Sequence, residues 1–477
     1  MLTRKTIQYI AMAVALLLMA ACKVPAIVEH KSTTTLPERF TDSTDSLSAG
    51  RIPWRQFFTD PYLQTLVDTA LKNNQELLIT LQEIEIAKND VRAKNSKIFP
   101  TVGVGAGADV NKVGRYTSQG AGDASTEIRP GQEMPDPLMN YGAQLYAHWE
   151  VDIWKKLHNA KSAAVSRYLS TVEGKNFVLS NLIGEIANAY YELIALDSQL
   201  DVVRQSIALQ KNALAVVKLQ KEASRVTELA VQKFQAEVLK SQSLEFDILQ
   251  QIKEAENKIS FLIGGYPREI KRDSSNLLAI NSSVVHAGMP SQLLANRPDI
   301  KQAELELAAS KMDVKVARAE FYPSFDLSAA IGLEAFKPSY LLKLPESLLY
   351  SVAGDLAGPL INRRAIQAEF ATADAQQLQA MYNYERTILN AYLETSNNLS
   401  KIDNLEKGFA LKNQEVDALN KSISISNDLF KSARADYLEV LMTQRDVLEA
   451  KLELIETKKQ QLMTVTNVYR DLGGGWQ

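Results

Sequence analysis

Among 477 residues the chain has one cysteine and four histidines. One cysteine excludes an intramolecular disulfide framework, and so few soft ligands exclude a structural zinc site. The formal net charge is only −3, so the chain is no generic polyanion binder and no nucleic-acid partner is expected. No nucleophile–base pair, phosphate-cradling loop or metal cluster can be recognised, so neither enzyme activity nor a metal or other cofactor is expected. Beyond the N-terminus, no segment reaches the roughly 18 consecutive apolar residues of a membrane helix. Proline is absent from residues 138–266 and 360–477; all 15 prolines fall in 25–137 and 267–359. Proline breaks helices by removing a donor and clashing with the preceding turn. Two long proline-free blocks therefore point to two long helical regions.

The N-terminus reads as a targeting segment. Arg4 and Lys5 precede the apolar run Ile10–Met19, followed by Ala20, Ala21 and Cys22. That is the pattern of a secretory signal over residues 1–21. Met19-Ala20-Ala21-Cys22 resembles a bacterial lipobox, which implies covalent lipid on Cys22 as the first mature residue. An ordinary signal with a chance cysteine is the alternative. A lipid group with several acyl chains anchors far better than one chain. Lys23 gives no inner-membrane retention signal of the aspartate type, which favours the outer membrane. Residues 22–58, rich in Ser, Thr, Asp and Pro, read as an extended lipid-anchored leader.

The remainder is duplicated. Residues 293–323 reappear, degraded, at an offset of 223: Asn73 matches Asn296, Asp90 matches Asp313, Phe99 matches Tyr322 and Pro100 matches Pro323. A repeat must be recognised before any other reading. The first repeat spans 59–265, a linker 266–292, and the second repeat 293–477. Each repeat starts with a helix; residues 60–98 carry Leu63, Leu66, Val67, Ala70 and Leu71 at helical spacing. Strand-like alternation follows in 101–110, 143–153, 324–334 and, more weakly, 348–360. Val102, Val104, Ala106, Ala108 and Val110 mark the first; Phe325, Leu327, Ala329, Ile331 and Leu333 mark the third. About ten residues of clean period two suits a transmembrane β-strand, apolar side outward. A soluble, half-buried hairpin alternates equally well.

The long blocks carry heptads. Leu179, Ile186, Leu193, Leu200, Ile207 and Leu214 recur every seven residues, with Leu182, Ala189, Leu196, Val203 and Val217 in companion positions. The same register returns as Ile388, Thr395, Ile402, Phe409, Val416 and Ile423. Such spacing predicts coiled-coil packing, and the stretch from Lys155 to Glu222 spans roughly 100 Å as a helix. Each block turns back, near Ala223–Glu228 and Ala433–Asp436. The turns match at an offset of 209 (Arg225 to Arg434, Leu229 to Leu438), as do the closing glycines Gly264 and Gly473.

Each half thus reads helix, strand, loop, strand, long helix, turn, helix. Four strands cannot close a barrel, and open edges are not tolerated in lipid. Membrane insertion therefore requires several chains: two give eight strands, three give twelve. Arg297-Pro298-Asp299 reads as a structural hinge of the repeat, since proline fits the first turn of a helix and aspartate its N-terminus. Trp149 and Trp154 flank a strand end, where aromatic belts meet a membrane interface; core packing is the alternative. His148 and His158 read as interfacial or exposed, not as ligands.

These residues also carry a family resemblance. Leu293-Leu294-Ala295-Asn296-Arg297-Pro298-Asp299-Ile300 with Phe321-Tyr322-Pro323 is one element. Ala435-Asp436-Tyr437-Leu438-Glu439-Val440-Leu441 with Gln444-Arg445 and Gly473-Gly474-Gly475-Trp476 is a second, and Trp149-Glu150-Val151-Asp152-Ile153-Trp154 a third. The chain resembles the TolC-like outer-membrane factors, in the lipoprotein branch of the OprM and CusC type, over essentially all of its mature length. The resemblance implies an α+β membrane protein: a homotrimer with a twelve-stranded transmembrane β-barrel continued by an α-helical periplasmic tunnel. It implies the exit duct of a tripartite efflux pump. Its partners would be a periplasmic adaptor and an inner-membrane transporter of the RND type, and its surroundings outer-membrane lipid. It further implies a periplasmic gate at the second hairpin tip, with Leu438 in the apolar ring and Arg434, Asp436 and Glu439 in pairs that hold it shut. Met442 stands where the family often has aspartate, and Glu439 is the substitute. Lys155 and Arg363 stand where glycine is common, so the strand-to-helix turns are expected to be relaxed. A periplasmic adaptor lipoprotein or a coiled-coil scaffold is the competing reading; an adaptor has one hairpin per chain, and a scaffold leaves the strands unexplained.

Overall fold

In the computed structural model, residues 24–28, 36–40, 48–274, 277–280, 286–358, 363–432 and 434–476 are described. The signal segment, Cys22 and the last two residues of the expected fourth strand lie outside them. The main helices are α1 (Pro61–Asn73), α2 (Gln75–Ser96), α3 (Lys156–Glu222), α4 (Glu228–Leu262), α5 (Pro298–Ala319), α6 (Arg364–Lys431) and α7 (Tyr437–Asp471). The main strands are β1 (Thr101–Asn111), β2 (Leu138–Glu150), β3 (Ser324–Ala335) and β4 (Leu348–Ala357). Among the described residues no helix is long and apolar enough to cross a membrane. The chain divides into two compact units, one of residues 86–168 and 305–381, the other of 32–85, 169–304 and 382–477.

The first unit holds a four-stranded antiparallel sheet in the order β1-β2-β3-β4, besides a short two-stranded ribbon at Glu127–Arg129 and Gln132–Glu133. The β1–β2 ladder runs from Thr101 opposite His148 to Asn111 opposite Leu138. β2 therefore starts five residues before the alternation becomes clean at Ala143, because β1 pairs with it down to Leu138. It stops at Glu150 because the chain turns there into α3. Asp152 makes that turn: its carboxylate accepts from the backbone N–H of Leu157 (2.9 Å) and His158 (2.8 Å) and lies 2.5 Å from His158 Nδ1. Burial pushes the Asp152 pKa up, but the hydrogen bonds to His158 and Leu157 and the His158 charge hold it below the usual carboxylate value. Lys155, expected in a relaxed turn, instead has φ of 59°. The tight left-handed turn is kept without glycine, at a cost of roughly 1–2 kcal/mol.

The second unit holds the returning helices and most of the core. Asp60 caps α1: its Oδ1 accepts from the Tyr62 (2.7 Å) and Leu63 (3.3 Å) N–H groups, and its Oδ2 from the Tyr190 hydroxyl (2.7 Å). The expected single helix 60–98 is broken at Asn74, which is buried; its Oδ1 caps α2 at Leu77 N (2.9 Å) and its Nδ2 donates to Leu262 O (2.8 Å). The second repeat makes the equivalent contact with different chemistry. There Arg297, also buried, donates to Asp471 O (3.2 Å), and residues 262 and 471 are equivalent positions. Gly264 and Gly473 close α4 and α7 with φ of 71° and 88°; a Cβ there would sit 2.2 Å from Asn73 O and 2.4 Å from Asn296 O. Glycine is required twice over, by backbone conformation and by space.

Leu182, Ile186, Leu193, Leu200, Val203 and Ile207 of α3 pack with Ile248, Ile259 and Leu262 of α4, Leu448, Ile455 and Leu462 of α7, and Leu63, Val67 and Ala70 of α1. Full burial of each large aliphatic side chain contributes about 1.5–3 kcal/mol. Part of the expected extended leader also packs. Trp54–Phe57 is a short helix, Trp54 and Phe58 are buried, and Phe57 stacks on Tyr469 at 3.9 Å. Aromatic residues in that stretch outweigh its polar composition.

Candidate functional site

Two regions can carry function: the sheet in one unit and the hairpin tips in the other. Register decides the character of the sheet. Val104, Leu145, Ile331 and Tyr350 stand side by side across the four strands, and so do Val102, Ala147, Ala329 and Val352. This face is uncovered: Val104 is 76% exposed, Tyr350 75% and Val352 82%. A soluble sheet would bury such a face, so the soluble-hairpin alternative has nothing to cover it among the described residues. The opposite face carries Gln144, Tyr146, His148, Ser328, Glu334 and Ser351 beside small residues. At its α3 end Glu150, Asp326 and Asp355 stand in one row. Two basic side chains lie beside the row: His148 Nε2 is 3.6 Å from Asp326, and Lys156 pairs with Glu150 and, at 3.7 Å, with Glu320. Among the described residues neither β1 nor β4 pairs with a further strand on its outer edge.

Both tryptophans at the end of β2 serve turns of this sheet. Trp149 Nε1 donates to Ile98 O (2.9 Å), ahead of β1, and Trp154 Nε1 to Pro323 O (2.8 Å), ahead of β3. The Trp154 ring stacks on Tyr322 at 4.5 Å and is 46% exposed. The two indoles thus fix the equivalent entry turns of the two repeats. His158 is bound to Asp152 and mostly exposed.

Arg297 and Asp299 act together. Arg297 Nε and Nη2 donate to Asp299 (3.0 and 2.7 Å), and Nη2 also to Glu394 (3.2 Å). Burial pulls the Arg297 pKa down, but the Asp299 hydrogen bonds and the Asp299, Glu394 and Asp471 charges raise it overall. Pro298 opens α5. The pair ties the start of α5 to Glu394 within α6 and, through the Asp471 carbonyl, to the end of α7.

At the tips the two repeats diverge. Both turns close with the same backbone bond, Arg225 N to Gln220 O and Arg434 N to Leu429 O, each 2.8 Å. The first turn is clasped by the ion pair Lys221–Glu228. The equivalent positions in the second are Phe430 and Tyr437, which pack on a cluster of Val217, Ala230, Val231, Phe234 and Val440. Leu438 is 38% exposed, and Arg434, Asp436 and Glu439 are exposed. Asp436 occupies the N-cap of α7 but makes no side-chain capping bond. Among the described residues Arg434, Asp436 and Glu439 make no ion pair within this chain. No spacing pattern marks the Lys221–Glu228 clasp, which needs the turn to be closed before the two charges meet.

A family model described as "Outer membrane efflux protein" matches residues 66–265 and 289–474. The pyoverdine export outer membrane protein OpmQ of Pseudomonas aeruginosa is 27% identical, over 97% of this chain and 96% of that protein. SilC of Salmonella typhimurium, a probable outer membrane lipoprotein, is 23% identical over 96% of this chain and 97% of its own. A crystal structure of CusC matches with a TM-score of 0.83 at 22% identity, covering 94% of this chain and 99% of that one. It was described in terms of folding and transmembrane channel formation, and it shares the fold of this chain.

Proposed function

The chain belongs to the outer membrane efflux protein family, and from that premise we propose that it is the outer-membrane exit duct of a tripartite efflux pump. One observation carries the reading: a four-stranded sheet with one continuous apolar face that is uncovered, and two edges that are unpaired, among the described residues. Such a sheet is satisfied only when further strands close it in lipid. Three copies closing a twelve-stranded barrel fit the family, with the polar face lining the lumen. The long hairpins form the helical conduit on the periplasmic side, where an adaptor and an inner-membrane transporter of the RND type engage it. Transport is passive and the partner supplies the energy. Cys22 carries the lipid that tethers the mature N-terminus.

The conduit rests closed at the second hairpin tip. Leu438 of each copy forms an apolar ring that closes by dewetting. The charges of Arg434, Asp436 and Glu439, without an ion pair among the described residues, pair across copies. Trp149 and Trp154 stand near the membrane boundary, and Arg297-Pro298-Asp299 fixes the start of the second repeat. The adaptor and scaffold readings leave the apolar sheet face without a solvent.

The test is single-channel conductance of detergent-extracted, mass-verified trimer in planar bilayers. Wild type should open rarely, and Leu438→Gly with Glu439→Ala should conduct steadily. No conductance from either variant in a verified trimer overturns the duct. Equal conductance keeps the duct and moves the gate elsewhere.

A further inference from the structure

The heptad companion positions on α3 run Leu182, Ala189, Leu196, Val203 and Val217, and the position they skip is Gln210. Gln210 is fully buried, and neither its Oε1 nor its Nε2 has a hydrogen-bond partner. Gln444 of α7 is 5% exposed, and its Oε1 is likewise buried without a partner. Both line one cleft between the two hairpins, about 30 Å³ in volume, together with Val202, Leu209, Ile423 and Val447. Cleft and amides coincide with a break in the core. The fully buried members of the main cluster end at Ile207 and Leu448, and those of a separate cluster at the tips begin with Val217 and Val440, with Ala213, Leu214 and Leu441 partly buried against them.

Buried amides are normally satisfied, and an unpaired one carries the full cost of desolvation. A water needs roughly 10–15 Å³ of such space and two to four polar partners. This cleft has room for one or two and offers three unpaired amide atoms. Apolar layers on either side have no such requirement.

We propose that Gln210 and Gln444 form a hydrated polar layer that uncouples the hairpin tips from the shaft, so that the tips open as a unit of their own. The layer lies about 15 residues, or roughly 22 Å of helix, from the turn at Arg225. Water in the layer can exchange one amide partner for another, whereas interlocked aliphatic side chains on either side have a single low-energy arrangement. Separation of the hairpins therefore starts at this layer and leaves the shaft intact. The link to channel gating rests on the duct reading above; the uncoupling itself does not.

Hydrogen exchange on the assembled full-length protein in detergent tests it. Amides of 211–222 and 437–443 should exchange at least tenfold faster than those of 193–207 and 447–455. Gln210→Leu with Gln444→Leu should fuse the layers and slow the tips at least tenfold, towards shaft values. Gln205→Leu, which lines the same cleft from an exposed position and bonds Asp201, should leave the tips unchanged. Equal protection of tips and shaft in wild type overturns the proposal. So does a double leucine variant whose tips remain as labile as before, since they then fray for reasons of their own. If exchange slows but bilayer conductance does not change, the polar layer stands and its link to the gate falls.

Discussion

Substituting Val352 with lysine gives the sharpest test of how the sheet meets its solvent. Val352 is mid-strand in β4, 82% exposed, and beside Ala329 on the apolar face. A lysine at the bilayer midplane of a barrel costs about 2–4 kcal/mol, falling to about 0–1 near the interfaces. Leu356, four residues on, lies one residue from the strand end. At about 3.3 Å per residue and a tilt near 40°, that is roughly 10 Å closer to the interface. Ser351, the adjacent residue, faces the polar side. The expected order of damage is therefore Val352→Lys far above Leu356→Lys, with Ser351→Lys close to wild type. A cost near 3 kcal/mol per chain is more than a hundredfold in the folded-to-unfolded ratio. The readout is the fraction of chain recovered from outer membranes as assembled, heat-modifiable oligomer. If Val352→Lys assembles normally while Ser351→Lys fails, the faces have been assigned the wrong way round and the apolar face lines the interior.

Three further outcomes follow from particular contacts. Lys155→Gly should raise stability by about 1 kcal/mol, since φ of 59° suits glycine; an unchanged or lower unfolding midpoint refutes the strain. Arg297→Ala leaves Asp299 with no guanidinium partner and should cost about 3–5 kcal/mol. The equivalent Asn74→Ala loses a cap and one bond, about 2 kcal/mol; thermal or denaturant melts that reverse this order would deny that the two positions do the same work. Lys458 is 5% exposed, sits 5.2 Å above the Phe409 ring, and has a pKa lowered by burial. The unfolded chain then binds more protons, so this group's contribution rises with pH between the lowered pKa and the ordinary lysine value. Lys458→Met should stabilise at neutral pH by about 1 kcal/mol and flatten that alkaline rise; a melt series over pH 7–10 with no difference between the two proteins refutes it.

Much of the site is legible in the sequence. Alternation of period two pointed to the apolar face, because successive side chains of a strand must face opposite ways. The heptads of α3 and α6 pointed to long packed helices for an equally local reason. The repeat offset of 209 matched the two turns to each other, down to Arg225 and Arg434. What escaped was wherever two distant segments decide the matter. Asn74 breaks a helix because it bonds the end of α4, nearly two hundred residues away. Phe430 and Tyr437 join a core where their counterparts form an ion pair, because the neighbouring hairpin offers them an apolar surface.

The sequence alone therefore determined the periodic and local features: which stretches are strands, which are helices, where they turn, and that the pattern is written twice. Those follow from spacing along one chain. Tertiary structure alone decided which polar residues are buried. Gln210 occupies an ordinary heptad position in the sequence, and only the approach of α7, with Gln444 and an incompletely filled cleft, makes it a buried amide without a partner. Burial is a property of what comes to lie against a side chain, and no spacing rule along one helix contains the surface of another.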